Sequence, residues 1–319
     1  MLYRLLYIPS KFALWIYCRH LSVNKRNMFS LKGPLLLAAN HPNSFLDAMI
    51  LSSLFRHPVH SLARGDAFAN KFFTRLLLSL KMFPVYRVSE GVENLETNYE
   101  TFEKCKEVFR KNGIVLIFSE GSCINEWKLR PLKKGTARLA QSSWQEGIPL
   151  KVLPVGINYQ SFTSFGKNMQ LNFGNIITEK DIFYHEGYGK TINEFNDKLR
   201  SELKPLVVEI DSAEKKELEN KFSIQHSMII KILLFIPAVI GYLVHAPIYI
   251  PIQKFAYKKG AHIDHYDSLL VGMLFLIYPI YLLLIAVFLY FAFGAWYGLL
   301  TFILLPFCAW SFVQLKRQF

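Results

Sequence analysis

The chain has 319 residues, which at roughly 150 residues per domain is enough for about two structural units. Hydrophobic residues make up 52% of it and charged residues only 19%, a composition that excludes intrinsic disorder, which needs few apolar and many charged side chains. The four cysteines show neither a CxxC pair nor zinc-ligand spacing, so the sequence indicates no disulfide scaffold, no metal site and a reduced, cytosol-facing compartment.

The charges are distributed unevenly along the chain, whose net charge is +13. Residues 1–88 hold 12 Lys and Arg but only two acidic residues, which points to an anionic partner: nucleic acid, a phospholipid surface or a phosphorylated substrate. Residues 268–315 contain no Asp, Glu, Lys or Arg. As a helix this stretch would be about twice as long as the ~30 Å hydrocarbon core of a membrane. We therefore expect a membrane hairpin that turns near Phe293 and Gly294, and no nucleic-acid partner.

The N-terminal residues 1–30 begin with an aromatic and apolar stretch that Arg4, Pro9 and Lys11 interrupt. These charges disfavour a membrane span, and no small-residue cleavage site follows that would mark a signal peptide. The pattern fits a segment that lies in the membrane interface. An ordinary helix of the core is the alternative.

Residues 31–190 alternate short apolar runs with amphipathic stretches, which predicts an α/β fold: a sheet flanked by helices on both faces. The predicted strands lie at 34–39, 59–64, 83–87, 114–118, 152–159 and 169–173. The predicted helices lie at 44–55, 67–82, 93–111 and 135–144. Residues 191–227 are charged and helical in pattern, so we expect them to link this domain to a membrane tail at 228–319.

The tail begins with a long uncharged stretch that contains Pro237, Pro247 and Pro251. These prolines favour a re-entrant segment at 229–252, followed by two spans at 268–291 and 295–315. With that path every basic cluster of the tail stays on the cytosolic side, as the positive-inside rule requires.

The first chemical motif, residues 40–47 (NHPNSFLD), follows a predicted strand and opens a predicted helix. The strand delivers His41 to the carboxyl edge of the sheet, where open α/β sheets bind ligands. Asp47, one helical turn on, can bond one imidazole nitrogen and leave the other as a general base for a hydroxyl group. The same residues also fit a capping box from Ser44 to Asp47, with His41 as an ordinary loop residue.

The second motif combines residues 118–123 (FSEGSC) with a basic run at 129–138 (LRPLKKGTAR). Arg130, Lys133 and Lys134 come just before a predicted helix. Their charges, the free N–H groups and the helix dipole would together suit a phosphate group. A solvated basic loop is the alternative.

With residues 153–156 (LPVG), these segments stand in an order that resembles the glycerophosphate/lysophosphatidate acyltransferase family over about residues 30–180. The first family motif resembles residues 40–47 and the second residues 83–87 (FPVYR). The third resembles residues 118–122 with the basic run after them, and the fourth residues 153–156.

The resemblance implies a mixed sheet flanked by helices and a membrane-bound O-acyltransferase of phospholipid synthesis. Such an enzyme moves a fatty acyl group from acyl-CoA or acyl carrier protein to glycerol-3-phosphate or 1-acylglycerol-3-phosphate, without cofactor, metal or acyl-enzyme. His41 would deprotonate the acceptor hydroxyl and Asp47 would orient His41, on the cytosolic face of a phospholipid membrane. The residues that would bind substrate are Asn40, Arg87, Glu120, Gly121, Ser122, Arg130, Lys133 and Lys134, with Arg87 on the phosphate.

The sequence departs from the usual family pattern in one spacing and at two positions. Five residues separate His41 from Asp47 instead of four, Ser119 replaces a proline, and Cys123 stands where an arginine is expected. In these departures the sequence resembles a subgroup of the family whose first motif is longer. They predict that Arg130 or Lys133 takes over phosphate binding, and they leave open whether the acceptor is another lysolipid.

Two other classes of function remain open. A membrane-anchored serine hydrolase could use Ser119 or Ser122 with His41 and Asp47, although the chain has no GxSxG motif. A non-catalytic lipid-binding membrane protein would need the basic face and the tail but neither His41 nor Asp47.

Overall fold

The computed structural model describes residues 2–86, 95–183, 187–211 and 214–317, without the side chains of residues 95–97 and 215. Arg87, the predicted phosphate ligand of the second motif, lies outside the described residues. Within them, a seven-stranded sheet has the order β1-β7-β6-β2-β5-β3-β4. The strands are β1 (Cys18–Val23), β2 (Leu35–Ala39), β3 (Val59–Arg64), β4 (Met82–Val85), β5 (Ile114–Phe118), β6 (Lys151–Tyr159) and β7 (Lys167–Phe173).

The sheet is mixed, because β6 and β7 pair antiparallel and the other neighbouring strands pair parallel. β2 lies in the middle and its side chains alternate between two cores. Leu35, Leu37 and Ala39 face one core, Leu36 and Ala38 face the other, and all five are fully buried. A run of apolar residues is therefore needed in β2, since both faces of the sheet are covered.

Helices cover both faces of the sheet, so the predicted fold class is confirmed. α1 and α2 pack on one face, and α4, α5 and α6 pack on the other. The helices of this domain are α1 (Leu2–Tyr17), α2 (Phe45–Leu54), α3 (Lys71–Ser79), α4 (Leu95–Arg110), α5 (Lys134–Gln145), α6 (Tyr188–Leu203) and α7 (Lys215–Phe222).

Two segments are more closely built into the domain than the sequence predicts. Residues 18–23, within the predicted N-terminal interfacial segment, form β1 and pair with β7 at the edge of the sheet. The predicted linker begins with α6, which buries Ile192, Phe195, Leu199 and Leu203 against the sheet. Four buried apolar residues at helical spacing make α6 part of the core rather than a connection.

The tail consists of α8 (Met228–Gly260), α9 (Tyr266–Phe293) and α10 (Ala295–Leu315). In the described part of the chain these three helices are long and apolar enough to cross a membrane. The turn between α9 and α10 is at Gly294, whose positive φ of 102° suits glycine, so the turn lies where the sequence predicts it.

The structure differs from the prediction at residues 229–252, where α8 is one continuous helix and not a broken segment that turns back. Pro237, Pro247 and Pro251 all lie inside it. A proline removes one N–H bond, but a membrane helix tolerates that loss where neighbouring helices and local adjustments compensate. α8 packs along both α9 and α10, which provides such neighbours.

Both ends of the α9–α10 hairpin contact the α/β domain. Asp267, in the first turn of α9, forms an ion pair with Lys167 of β7. At the end of α10, the Arg19 guanidinium of β1 donates to the carbonyl oxygens of Val313 (3.0 Å) and Lys316 (2.8 Å). The hairpin therefore leaves the domain and returns to it on the same side.

Candidate active site

Two loops with chemical motifs meet at the carboxyl edge of the sheet. β2 and β5 are neighbours in parallel register, with Ala39 opposite Phe118. The loops that follow them therefore start side by side, and the Ser119 N–H donates to the Ala39 carbonyl at 2.9 Å. This is the edge at which open α/β sheets bind their ligands.

His41 and Asp47 form the predicted pair, with 2.9 Å between His41 Nδ1 and Asp47 Oδ2. The His41 ring stacks on the Phe118 ring, with the centroids 3.7 Å apart and the planes 8° from parallel. Its side chain is 17% exposed and lines a cleft. With Nδ1 bonded to a carboxylate, Nε2 is the nitrogen that remains for a substrate proton.

Asp47 lies in the first turn of α2 and is fully buried, but its carboxylate is well bonded. Besides His41, it accepts from the Asn43 N–H (2.8 Å) and the Tyr159 hydroxyl (2.6 Å). Burial and the nearby Asp47 carboxylate raise the pKa of Tyr159, which keeps this hydroxyl protonated and able to donate. The Ser44 side chain makes no capping bond, so that half of the alternative capping box does not form.

Glu120 connects the two motif loops. Its buried carboxylate accepts from the His41 N–H and from the N–H and guanidinium of Arg130, each at 2.9 Å. The Arg130 guanidinium also donates to the Ser122 hydroxyl (2.8 Å) and to the Ser122 carbonyl. Glu120 and Arg130 thus hold His41 and the second loop in place, and Arg130 does not line the cleft.

Asn40 has a similar bridging position. Its side-chain amide donates to the Ile157 carbonyl at 3.0 Å and accepts from the Ile157 N–H at 2.7 Å. The amide is buried and joins the end of β2 to β6. A role for Asn40 in binding substrate stays a prediction.

The cleft beside His41 has a volume of 1610 Å³ and a cationic wall. Gly121, Ser122, Lys133 and Lys134 line it, and Arg138 lies one turn beyond Lys134 on α5. All three cations are exposed, and in the described part of the chain no carboxylate forms an ion pair with them. Together with the first N–H groups of α5 they can hold a phosphate group.

Cys123 occupies the position where the family pattern has an arginine. Its sulfur accepts from the Ser44 N–H at 2.9 Å and lies 3.8 Å from the Asp264 carbonyl, between α8 and α9. Burial and the charge of Asp47 raise the pKa of Cys123, so it stays a neutral thiol. It links the first motif to the tail and supplies no charge for a phosphate.

A second, apolar cavity of 270 Å³ adjoins the cleft. It lies between α1, α2, α3 and α9, and shares Phe45, Ala48 and Met82 with the cleft. Gly272 of α9 lines it, and a Cβ atom at this position would meet no other atom within 4 Å.

Three residues near Asp47 were not predicted from the sequence: Tyr159, Lys167 and Asp267. Tyr159 ends a predicted strand, and the rule that placed His41 at the carboxyl edge applies to it as well. Asp267 directly precedes the uncharged stretch, and an acidic residue at the start of a membrane helix is itself a functional signal. Lys167 carries no comparable signal in the sequence.

Residues 20–158 match the family model described as acyltransferase, a range that includes β2, α2 and both motif loops. No curated protein sequence matches the chain. A similar solved structure is the crystal structure of the 1-acyl-sn-glycerophosphate (LPA) acyltransferase PlsC from Thermotoga maritima. That chain is 17% identical with a TM-score of 0.45, and the match covers 63% of this chain and 78% of that one. The family predicted from the motifs is thus confirmed by the family model over residues 20–158: this part of the chain is an acyltransferase domain.

Proposed function

We propose that this acyltransferase is a membrane-bound enzyme that transfers a fatty acyl group from a thioester, acyl-CoA or acyl carrier protein, to the hydroxyl group of a glycerophosphate. Glycerol-3-phosphate and 1-acylglycerol-3-phosphate are the proposed acceptors. The observation that carries the proposal is that His41, paired with Asp47, lines a cleft that has a cationic wall and adjoins an apolar cavity.

In the proposed reaction, His41 Nε2 takes the proton of the acceptor hydroxyl as its oxygen attacks the thioester carbonyl carbon. The new C–O bond forms, the C–S bond breaks, and the proton passes from His41 to the departing thiolate. Asp47 fixes the tautomer of His41 and stabilises the transient imidazolium. No nucleophilic side chain is required.

The serine hydrolase alternative finds no suitable nucleophile in Ser119 or Ser122, the two serines that it would use. The Ser119 hydroxyl is buried and pairs with the Thr136 hydroxyl at 3.0 Å. The Ser122 hydroxyl accepts from Arg130. Neither serine hydroxyl bonds to the His41 ring in the part of the chain that the structure describes, which favours direct transfer.

We further propose that the active site lies on the cytosolic face of the membrane. Lys316 and Arg317 follow α10 where it returns to the domain, and Lys258 and Lys259 lie at the end of α8, close to the start of α9. The start of α8 is also tethered, because the Phe222 carbonyl accepts from Asn168 of β7. Six residues extend at most ~22 Å, less than the ~30 Å hydrocarbon core, so both ends of α8 lie on the side of the domain and this helix does not pass from one face of the membrane to the other. The basic clusters thus group on the side of the domain, as expected for a cytosolic face.

The first prediction concerns the general base. His41→Ala should lower the transfer rate by about 10²–10⁴-fold, the usual contribution of general-base catalysis, because no other group takes the hydroxyl proton. Asp47→Asn should also slow transfer, since an amide at this position no longer fixes the required tautomer of His41. The rates are measured with purified protein in detergent, with radiolabelled acyl donors and a panel of acceptors.

His20→Ala is the matched control, because His20 is exposed on β1. It should transfer at the wild-type rate. If His41→Ala keeps more than about a third of wild-type turnover while remaining folded, the general-base assignment is wrong.

The second prediction separates phosphate binding from loop support. Lys134→Gln and Arg138→Gln should each raise the KM for the acceptor by about tenfold or more, because a charge-assisted bond contributes roughly 1.5–3 kcal/mol. Arg130→Gln should instead lower kcat, since Arg130 holds Glu120, which in turn holds His41.

Lys151→Gln is the control for lost charge, because Lys151 is exposed at the opposite end of β6. Steady-state kinetics with each substrate varied in turn measures the donor KM and the acceptor KM separately. An equal rise of the donor and acceptor KM in all variants would indicate a general electrostatic effect and contradict a phosphate site.

The third prediction concerns the acyl chain, which we place in the apolar cavity that adjoins the cleft. Gly272→Leu should fill part of this cavity and shift the preference towards shorter donors. Each methylene group that loses its buried position costs about 0.8 kcal/mol, or roughly a fourfold loss in kcat/KM.

Ala292→Leu introduces the same side chain at an exposed position of α9 and should leave chain-length preference unchanged. Competition between donors of different length measures the ratio directly. An unchanged ratio in Gly272→Leu would place the acyl chain elsewhere.

A further inference from the structure

A buried polar cluster joins the first turn of the membrane hairpin to the His41–Asp47 pair. Its other members are Asn43 in the loop before α2, Lys167 in β7 and Asp267 in α9. The side chains of Lys167 and Asp267 are completely buried and form an ion pair. The two residues are 100 positions apart in the chain, so the cluster forms only when the tail packs on the domain.

Asn43 is the direct connection between the two carboxylates. Its side-chain amide donates to Asp267 Oδ2 at 2.7 Å, and its backbone N–H donates to Asp47 Oδ2 at 2.8 Å. Asn43 also lies between His41 and Asp47 in sequence. A displacement of Asn43 therefore moves the loop that carries both members of the pair.

Lys167 provides a second connection. Its ammonium group lies 5.6 Å from the ring centroid of Tyr159, whose hydroxyl donates to Asp47. Burial lowers the pKa of Lys167, and the adjacent Asp267 carboxylate opposes that change. The ion pair with Asp267 holds the ammonium group in this position.

Attachment of the tail does not by itself require this ion pair. Arg19 fastens the end of α10 through the carbonyl oxygens of Val313 and Lys316, and it makes no contact with the His41–Asp47 pair. Buried ion pairs can often be replaced by apolar side chains without loss of stability. Stability alone therefore does not account for the charged pair of Lys167 and Asp267 beside Asn43.

We propose that Asp267 of the membrane hairpin, with Lys167 and Asn43, is a positioning group for the His41–Asp47 pair, so that the tail forms part of the active site. The inference rests on the proposed function. It makes catalysis depend on the seating of α9 against the domain and gives the tail a role beyond membrane attachment.

The first test removes the connection and leaves the ion pair in place. Asn43→Ala deletes the amide that bonds Asp267 but keeps the backbone N–H that bonds Asp47. The expected result is a loss of kcat of at least tenfold, with the KM of both substrates within twofold of wild type and little change in unfolding temperature.

Arg19→Met is the matched control, because it removes a different attachment of the tail, at the end of α10. It should lower the unfolding temperature in detergent and leave kcat unchanged. A loss of kcat in Arg19→Met as large as that in Asn43→Ala would overturn the proposal, since any loosening of the tail would then suffice.

The second test removes both buried charges, at Lys167 and Asp267. It then compares a variant that keeps a hydrogen-bond acceptor for the Asn43 amide with a variant that does not. The double variant Lys167→Met/Asp267→Asn retains a carbonyl oxygen for the Asn43 amide, and Lys167→Met/Asp267→Leu does not. The first should keep most of the wild-type kcat, and the second should lose at least tenfold. Equal kcat in the two folded double variants would overturn the positioning role.

Failure of this inference is distinguishable from failure of the proposed function. If Asn43→Ala transfers at the wild-type rate while His41→Ala is inactive, the general base stands and the positioning role is wrong. If His41→Ala and the wild type transfer equally, the proposed mechanism fails and the positioning role fails with it.

Discussion

The structure of the site depends on one constraint: the Asp47 carboxylate is fully buried and must find its hydrogen bonds inside the protein. An unpaired charge in that position would be very costly. It is satisfied by His41, by the Asn43 N–H and by the Tyr159 hydroxyl, which come from the loop after β2 and from β6. The same bonds that make burial acceptable hold the imidazole in one orientation, with the second nitrogen left for a substrate.

Charged residues near the His41–Asp47 pair fall into two groups: those that hold the loops in place and those that are available to bind a phosphate group. Glu120 and Arg130 bond to each other, and Glu120 also accepts from the His41 N–H, so their charges are used within the protein. Lys134 and Arg138 line the cleft, and no carboxylate pairs with them in the described residues. A cation with a protein partner fixes a loop, whereas a cation without one is available to a phosphate group. This division gives the same basic motif two separate tasks.

Most of the fold could be predicted from the sequence because its strands and helices have strong local patterns. The buried run at β2, the hairpin turn at Gly294 and the segment around His41 are examples of such local signals. Contacts between distant parts of the chain could not be predicted. Nothing in the sequence pairs Lys167 with Asp267, and nothing indicates which partner Arg130 takes. The continuous helix α8 likewise depends on its packing neighbours, which the sequence pattern does not reveal.

The central claim is direct transfer from the thioester to an acceptor hydroxyl, with His41 as base and no covalent intermediate. The most direct measurement mixes the enzyme rapidly with acyl-CoA alone and follows release of the free thiol before any acceptor is added. Direct transfer predicts no burst of thiol and no gain in the mass of the protein until an acceptor is supplied. A burst equal to the enzyme concentration, with an acyl group attached to the chain, would contradict the account.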